Sequence, residues 1–540
     1  YAVGYMASER DTARFYAEMA LFVAAMQTLV LAGDWFLLLA AWELIALASY
    51  LLIGFWFTRP GVGAAATRAF LVTRAADIGL YVGVMVIIVE TGTSAMDATG
   101  EVDGTAATVA ALALLLAAAG KSAQAPLQGW LMDAMAGPTP VSALLHAATL
   151  VVAGVVLLAR AFPLMPSNVL LIVGLVAGLT AVITGLTAIV QGDLKRLLAA
   201  STSSQLGLML LALGAGSVPA AIFHLVTHAA MKSSLFLAAG VFQHDRDSTD
   251  FAALAGVGRE RRLAFAAFAI AGLALAGVPP LAGFWSKDAV IAATLASPHP
   301  ALLAPLAVVA SALTGVYIGR AIRLLWAGER ALHHDGDGRV AWPMSAGLAV
   351  LAILAATAGL GAEPLAHLLD TELPESTLAM ALGLAAAAAG LLAGWLVPGE
   401  RLLGPVAAAA RSGFRIGDGW LGVAVIPSFA VARWCDGIDR GIHAAVLGSG
   451  RAALVLARTA HRVDARVHDG VIGTGRSAMD VARAASGLDV SGIDGAIREL
   501  VARTVALGGG ARRLQSGLVH RELLLTAGGT AAILILILLI

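Results

Sequence analysis

Apolar runs of about 20 residues recur almost from one end of this 540-residue chain to the other, each long enough to cross a hydrocarbon core of roughly 30 Å as a helix. No soluble core absorbs so many of them: 59% of the residues are hydrophobic and only 13% are charged. Within a bilayer every backbone N–H and C=O must be satisfied inside its own segment, so the chain reads as an all-α polytopic membrane protein. Setting apolar runs against polar breaks places helices near 16–32, 35–57, 68–90, 106–136, 139–162, 167–190, 197–214, 218–242, 263–297, 302–326, 342–361 and 377–397. A last run from Leu523 to Ile540 makes about 13 transmembrane helices in all.

The chain holds one cysteine, Cys435, so it builds no disulfide and no Cys-rich zinc or iron-sulfur site. It has no Gly-rich dinucleotide fingerprint and no P-loop, so neither a dinucleotide nor an NTP site is indicated. Energy must come from an ion gradient or a partner. The first residues, with Glu9, Arg10, Asp11 and Arg14, form a polar segment, 1–15, that starts at Tyr1 and reads as lacking its true N-terminus. Nothing there resembles a cleavable signal peptide.

Loop charge gives an orientation, because Lys and Arg are retained on the cytoplasmic side. Loops after even-numbered helices carry Arg59 and Arg68, Lys195 and Arg196, Arg259, Arg261 and Arg262, Arg330 and Arg339, and Arg401, Arg411 and Arg415. Loops after odd-numbered helices are acidic, with Asp97, Glu101 and Asp103 in one and Glu363, Asp370, Glu372 and Glu375 in another. Residues 398–521 join the cytoplasmic side. Within them, from about Trp434 to Arg513, small apolar residues alternate with spaced Arg and Asp, the pattern of a long amphipathic helix along the membrane surface. Breaks are expected in it at Gly448, Gly450, Gly470 and Gly473.

Helices four and nine carry prolines beside lysines, Pro126 after Lys121 and Pro279–Pro280 before Lys287, so each is expected to break within the membrane. They lie five helices apart. An odd number inverts the topology, so residues 16–162 and 163–327 read as two inverted five-helix repeats, followed by two further helices in 328–397 and an anchor in 522–540. Broken helices at matching positions of such repeats point to an ion site.

Charges inside a membrane helix cost about 2.5 to 3.5 kcal/mol each on insertion scales, so they face protein and serve a purpose. Glu43 lies deep in one apolar run; Arg74 and Asp77, three apart on another, share a face and could pair with each other. Lys121 and Lys287 stand at what read as equivalent points of the repeats, beside breaks where freed carbonyls and water can solvate an ammonium. His224, His228 and Lys232 form an i, i+4, i+8 stripe on helix eight, and His146 adds an imidazole on helix five. Histidine, titrating ordinarily near pH 6.5, suits a proton relay. The rival reading is zinc at H-x-x-x-H, but Leu225 stands where the H-E-x-x-H motif needs glutamate. Making and breaking ion pairs, such as one between Glu43 and Lys121, would move a proton along the row.

The segments KSAQAPLQGWLMDAMAGPTPVSALLHAATLVVAGV, GDLKRLLAASTSSQLG, AAIFHLVTHAAMKSSLFLAAG and VPPLAGFWSKD closely resemble the antiporter-like membrane subunits of bacterial respiratory complex I, the NADH-quinone oxidoreductase. The resemblance runs to the C-terminus, including RRLQSGLVHRELLL, and implies a bundle of two inverted repeats, a lateral helix and a final anchor, with about three N-terminal helices of the family missing. It implies that Glu43, Lys121, His146, His224, His228, Lys232 and Lys287, with the Arg74 and Asp77 pair, form a buried proton path. It further implies that flavin, iron-sulfur clusters and quinone reside in partner subunits and none in this chain. The lateral helix would contact neighbouring antiporter-like subunits in the bacterial inner membrane, and no nucleic acid is involved. Subunits of cation/proton antiporters, membrane-bound hydrogenases and inorganic-carbon uptake complexes share the same core, and sodium remains an alternative ion.

Overall fold

A computed structural model describes residues 1–328, 341–416, 426–484, 493–511 and 519–539. Arg330, Arg339 and residues 512–518 of the C-terminal motif lie outside the described residues. Two compact units are present, Tyr1–Phe429 and Ala430–Ile540.

In the first unit, α1 (Thr12–Leu31), α2 (Trp35–Ile53) and α3 (Val62–Thr91) precede α4 (Gly104–Lys121), which stops short and gives way to a brief α5 (Gly129–Asp133). The fifth span is also split, into α6 (Thr139–Ala147) and α7 (Ala153–Arg160). Then come α8 (Ser167–Ile189), α9 (Leu194–Gly214) and α10 (Val218–Arg246). The ninth span is two pieces, α11 (Arg262–Ala276) and α12 (Ala282–Ala296), before α13 (Pro300–Trp326), α14 (Trp342–Thr357), α15 (Ala362–Leu368) and α16 (Thr377–Leu396). Among the described residues 11 helical spans are long and apolar enough to cross a membrane, and the two halves of the broken ninth are each shorter. The chain is a multi-pass membrane protein.

The expected breaks in spans four and nine are present, each containing one X–Pro bond in the cis form, Ala125–Pro126 and Pro279–Pro280. The split of span five, expected to be continuous, has no proline or glycine at its centre. Thr149 leaves helical geometry at φ −135°, ψ −88°, and its hydroxyl donates to the Leu144 carbonyl at 2.6 Å, satisfying a group the break frees.

The same interlock occurs once within each set of five spans. Asp34 caps α2, accepting from the Phe36 and Leu37 N–H groups; Trp35 N–H donates to Ser94 O at 2.8 Å and Met96 N–H to Gly33 O at 3.0 Å. Asp193 caps α9 through the Arg196 N–H; Leu194 N–H donates to Thr249 O at 2.8 Å and Phe251 N–H to Gly192 O at 2.9 Å. In both, the second carboxylate oxygen takes a hydroxyl, from Ser94 or from Thr249. The capped helices are the second and seventh spans, five apart, so the same lock recurs with opposite direction through the membrane.

Close packing of small residues fixes the helix faces. A Cβ at Gly79 would stand 2.2 Å from the Ala113 carbonyl oxygen and one at Gly120 2.3 Å from the Ala76 Cβ, so α3 and α4 touch backbone to backbone. The central α9 is enclosed by protein along the whole of its membrane-length window.

The second unit is made of all but the first residues of α17 (Ile426–Ala484, 59 residues), with α18 (Ile493–Ala511) and α19 (Val519–Leu538). Trp434, Ile438, Ile442 and Val446 recur every four residues on α17, and Val463, Val467 and Val471 continue the stripe, all exposed in the isolated chain. The breaks expected at Gly448, Gly450, Gly470 and Gly473 do not occur; the helix runs through all four. A glycine costs an exposed helix about 1 kcal/mol, too little to stop one this long.

Candidate functional site

The candidate site is a line of ionisable side chains running through the first unit. It begins on α2 and α3, where Glu43 pairs with Arg74 and accepts the Tyr81 hydroxyl at 2.7 Å. One turn further on α3, Asp77 accepts from Lys121 Nζ at 3.1 Å and from the Trp42 indole N–H at 2.6 Å. Asp77 and Lys121 have no exposed surface, whereas the side chains of Glu43 and Arg74 are 21% and 43% exposed. The pairing therefore differs from both sequence expectations. Arg74 and Asp77 do not pair with each other, and Lys121 takes Asp77 rather than Glu43. Helix α3 turns Arg74 outward and Asp77 inward, and α4, locked to α3 by Gly79 and Gly120, presents Lys121 to the inner one.

The break after Lys121 is satisfied by neighbouring side chains rather than by helix. Ser203 Oγ donates to Ala123 O at 2.5 Å, Ser122 Oγ to Val151 O at 2.7 Å, Trp130 Nε1 to Gly120 O at 3.0 Å, and Thr180 Oγ1 accepts from Ala125 N–H at 3.0 Å. Irregular backbone is tolerated at membrane depth only when it is so enclosed. Trp130 also stacks obliquely on His146, with ring centroids 6.1 Å apart, which joins the break to the next member of the line. His146 is fully buried and neither ring nitrogen has a hydrogen-bond partner among the described residues.

Lys195, at the start of α9, is nearly buried and donates to Met135 O at 2.8 Å and Gly137 O at 2.9 Å, holding the frayed end beyond α5. It lines an open cavity of about 470 Å³ together with Arg68, Asp133, Asp193 and Arg196.

On α10 the stripe is realised as expected. His224 and His228 stack obliquely at 6.2 Å, Lys232 donates to Ser201, and all three are fully buried. Like those of His146, the His228 ring nitrogens have no hydrogen-bond partner among the described residues. Both His224 nitrogens are engaged, Nδ1 with Ser286 Oγ at 3.0 Å and Nε2 with Gln205 Oε1 at 3.2 Å. Gln205 Nε2 in turn donates to Thr314 and to Tyr317, each at 3.1 Å. Among the described residues no group of three His, Cys, Asp or Glu side chains is placed to hold a metal.

Lys287 follows Ser286 on α12 and is 4% exposed. The two lysines do not occupy equivalent points of the repeats. Lys121 ends the helix before its break, whereas Lys287 is the sixth residue of the helix after its own. Asp288 comes next and lies half-buried toward Glu375 of the acidic loop, which lines an open cavity of about 1130 Å³ with Glu363, Asp370 and Glu372. Sequence reasoning passed over Trp42, Tyr81, Gln205, Ser286 and Asp288, since single polar residues beside a charged one carry no periodic signal.

Broken helices in two matched sets of five spans, with ionisable groups strung between them, define an antiporter-like multi-pass membrane protein. A family model described as NADH:quinone oxidoreductase/Mrp antiporter, TM, matches residues 32–314. The chain belongs to that family.

The chain is 42% identical over 437 residues to the NADH-quinone oxidoreductase subunit L of Escherichia coli strain K12, covering 78% of this chain and 71% of that protein. Among solved structures it is similar to a chain of the Mrp complex from Dietzia sp. DQ12-45-1b, with a TM-score of 0.57 and 30% identity over 92% of this chain and 52% of that one. A chain of an archaeal membrane-bound sulfane sulfur reductase is similar with a TM-score of 0.58 and 25% identity, over 71% of this chain and 77% of that one.

Proposed function

We propose that the chain is the proton-translocating, antiporter-like subunit of an NADH:quinone oxidoreductase in a bacterial inner membrane. The observation that carries this reading is the fully buried Asp77–Lys121 pair standing at a helix break and continued by His146, His228, His224 and Lys287. Charges so placed are costly, and ionisable residues inside membrane spans accordingly mark ion and proton pathways. In this reading flavin, iron-sulfur clusters and quinone belong to partner subunits, and this chain holds no redox centre.

The path enters from the basic-loop side, through the cavity at Lys195 toward His146. A pair in low dielectric strongly favours the charged lysine, and separating it releases that preference. Loosening Asp77 from Lys121 would thus push a proton to the imidazoles, and these pass it toward Lys287. Asp288 and the acidic loop lead out. Glu43 and Arg74, mid-membrane and partly exposed in the isolated chain, need a protein surface rather than lipid, which supports association with a neighbouring membrane subunit. The apolar stripe of α17 is a second surface of that kind, suited to neighbouring antiporter-like subunits.

The test is Lys121→Met in the assembled complex reconstituted into vesicles: proton translocation should fall at least tenfold, and unchanged translocation would refute the reading. The likeness to the Mrp chain favours a second reading, a cation/proton antiporter subunit. Purifying the tagged chain from native membranes separates them. Flavin and iron-sulfur partners with NADH:quinone reductase activity support the first; small antiporter partners without it support the second.

A further inference from the structure

At the far end of the buried line, Lys287, Asp288 and Ser311 share one small cavity between α11, α12, α13 and α16, bounded also by Gly277, Met380 and Gly383. It leaves about 10 Å³ for the centre of a water, room for one molecule. Lys287 Nζ, Asp288 Oδ1 and Ser311 Oγ are each buried there without a hydrogen-bond partner among the described residues. Lys287 is 4% and Ser311 2% exposed, so bulk solvent does not satisfy them. A single water answers all three, since it accepts from the lysine, donates to the carboxylate and exchanges either role with the hydroxyl.

We infer that this cavity is a one-water site in which Ser311 positions the water that links Lys287 to Asp288. Ser311 contributes from a different helix, α13, and without it the water keeps only partners from one turn of α12 and loses its fixed orientation. The site stands on the geometry alone; its role rests on the proton-translocating reading. In that role an N–H proton of the Lys287 ammonium passes to the water oxygen as a water proton passes to the Asp288 carboxylate. The products are a neutral amine, a regenerated water and a carboxylic acid, with atoms and charge balanced. Gly277, at φ +92°, turns the chain beside the Lys287 stem; a Cβ there would stand in ordinary contact with the Lys287 Cδ at 3.7 Å, so the backbone conformation rather than space calls for glycine.

The experiment is a cryo-electron-microscopy map of the full complex in lipid nanodiscs at a resolution that shows waters, for the native chain, Ser311→Ala and Ser311→Thr. The site predicts a density peak within hydrogen-bond reach of all three groups, kept in Ser311→Thr and lost in Ser311→Ala. In vesicles Ser311→Ala should slow proton translocation several-fold with a larger H₂O/D₂O ratio, and Ser311→Thr should restore both. Absence of the peak in the native map, or a peak that requires sodium and disappears in choline buffer, overturns the water site. A peak with unchanged translocation in Ser311→Ala overturns the positioning role. Lys121→Met in the same vesicles separates the two questions, because unaltered translocation there defeats the translocating reading while the density still decides the site.

Discussion

Asp77 follows Arg74 by three residues on one helix, yet the two take different partners: Asp77 holds the Lys121 ammonium at 3.1 Å in full burial, and Arg74 holds Glu43 at the edge of the bundle. Two carboxylate–cation rungs thus stand side by side, one inside and one at the flank. The inner rung is shut off from bulk solvent by its full burial.

Removing one member of a buried ion pair costs about 3–5 kcal/mol, because the other charge is stranded. Lys121→Met should therefore destabilise the subunit markedly, and adding Asp77→Asn should recover part of the loss. Thermal melting of the purified complex checks this. A double variant that melts below Lys121→Met would contradict the pairing.

Trp42 shares Asp77 with Lys121 through its indole N–H at 2.6 Å. A hydrogen bond to a charged group contributes about 1.5–3 kcal/mol, so Trp42→Phe should destabilise by that order. Its effect should largely vanish in an Asp77→Asn background, where the charged acceptor is already gone. Additive losses in the double-mutant cycle would show that the indole acts by packing alone.

The inner rung depends on how closely α3 meets α4. Gly79→Val should prevent assembly, since even a Cβ would lie 2.2 Å from a carbonyl oxygen, whereas Gly33→Ala, with nothing within 4 Å, should assemble as the native chain does. Native gels of membranes expressing each variant give the answer.

Asp34 offers a pH-dependent contribution outside the membrane spans. The Ser94 hydroxyl, followed by the Leu37 and Phe36 N–H groups, holds its carboxyl below the ordinary range, with partial burial opposing. A depressed folded-state pKa stabilises above the unfolded value of about 4, and that stabilisation is lost as pH falls through the lower folded value. Asp34→Ala should cost about 1 kcal/mol at neutral pH as a lost helix cap. The gap in melting temperature between native chain and variant should narrow below about pH 4; a gap independent of pH would show that the charge is not involved.

The sequence by itself determined the class, the near-complete set of spans, the proline breaks near Lys121 and Lys287, and which buried charges to examine. Span length and backbone satisfaction are properties of one segment in a bilayer, so they are written locally. The tertiary structure alone decided who pairs with whom. Lys121 could have met Glu43 or Asp77, and the choice fell to the glycine contacts that rotate α4 against α3. It also decided the break after His146, which a threonine hydroxyl supports without proline or glycine, and the cavity that brings Ser311 to Lys287 and Asp288. Those relations join residues far apart in the chain, and no period or propensity records which faces of two helices will meet.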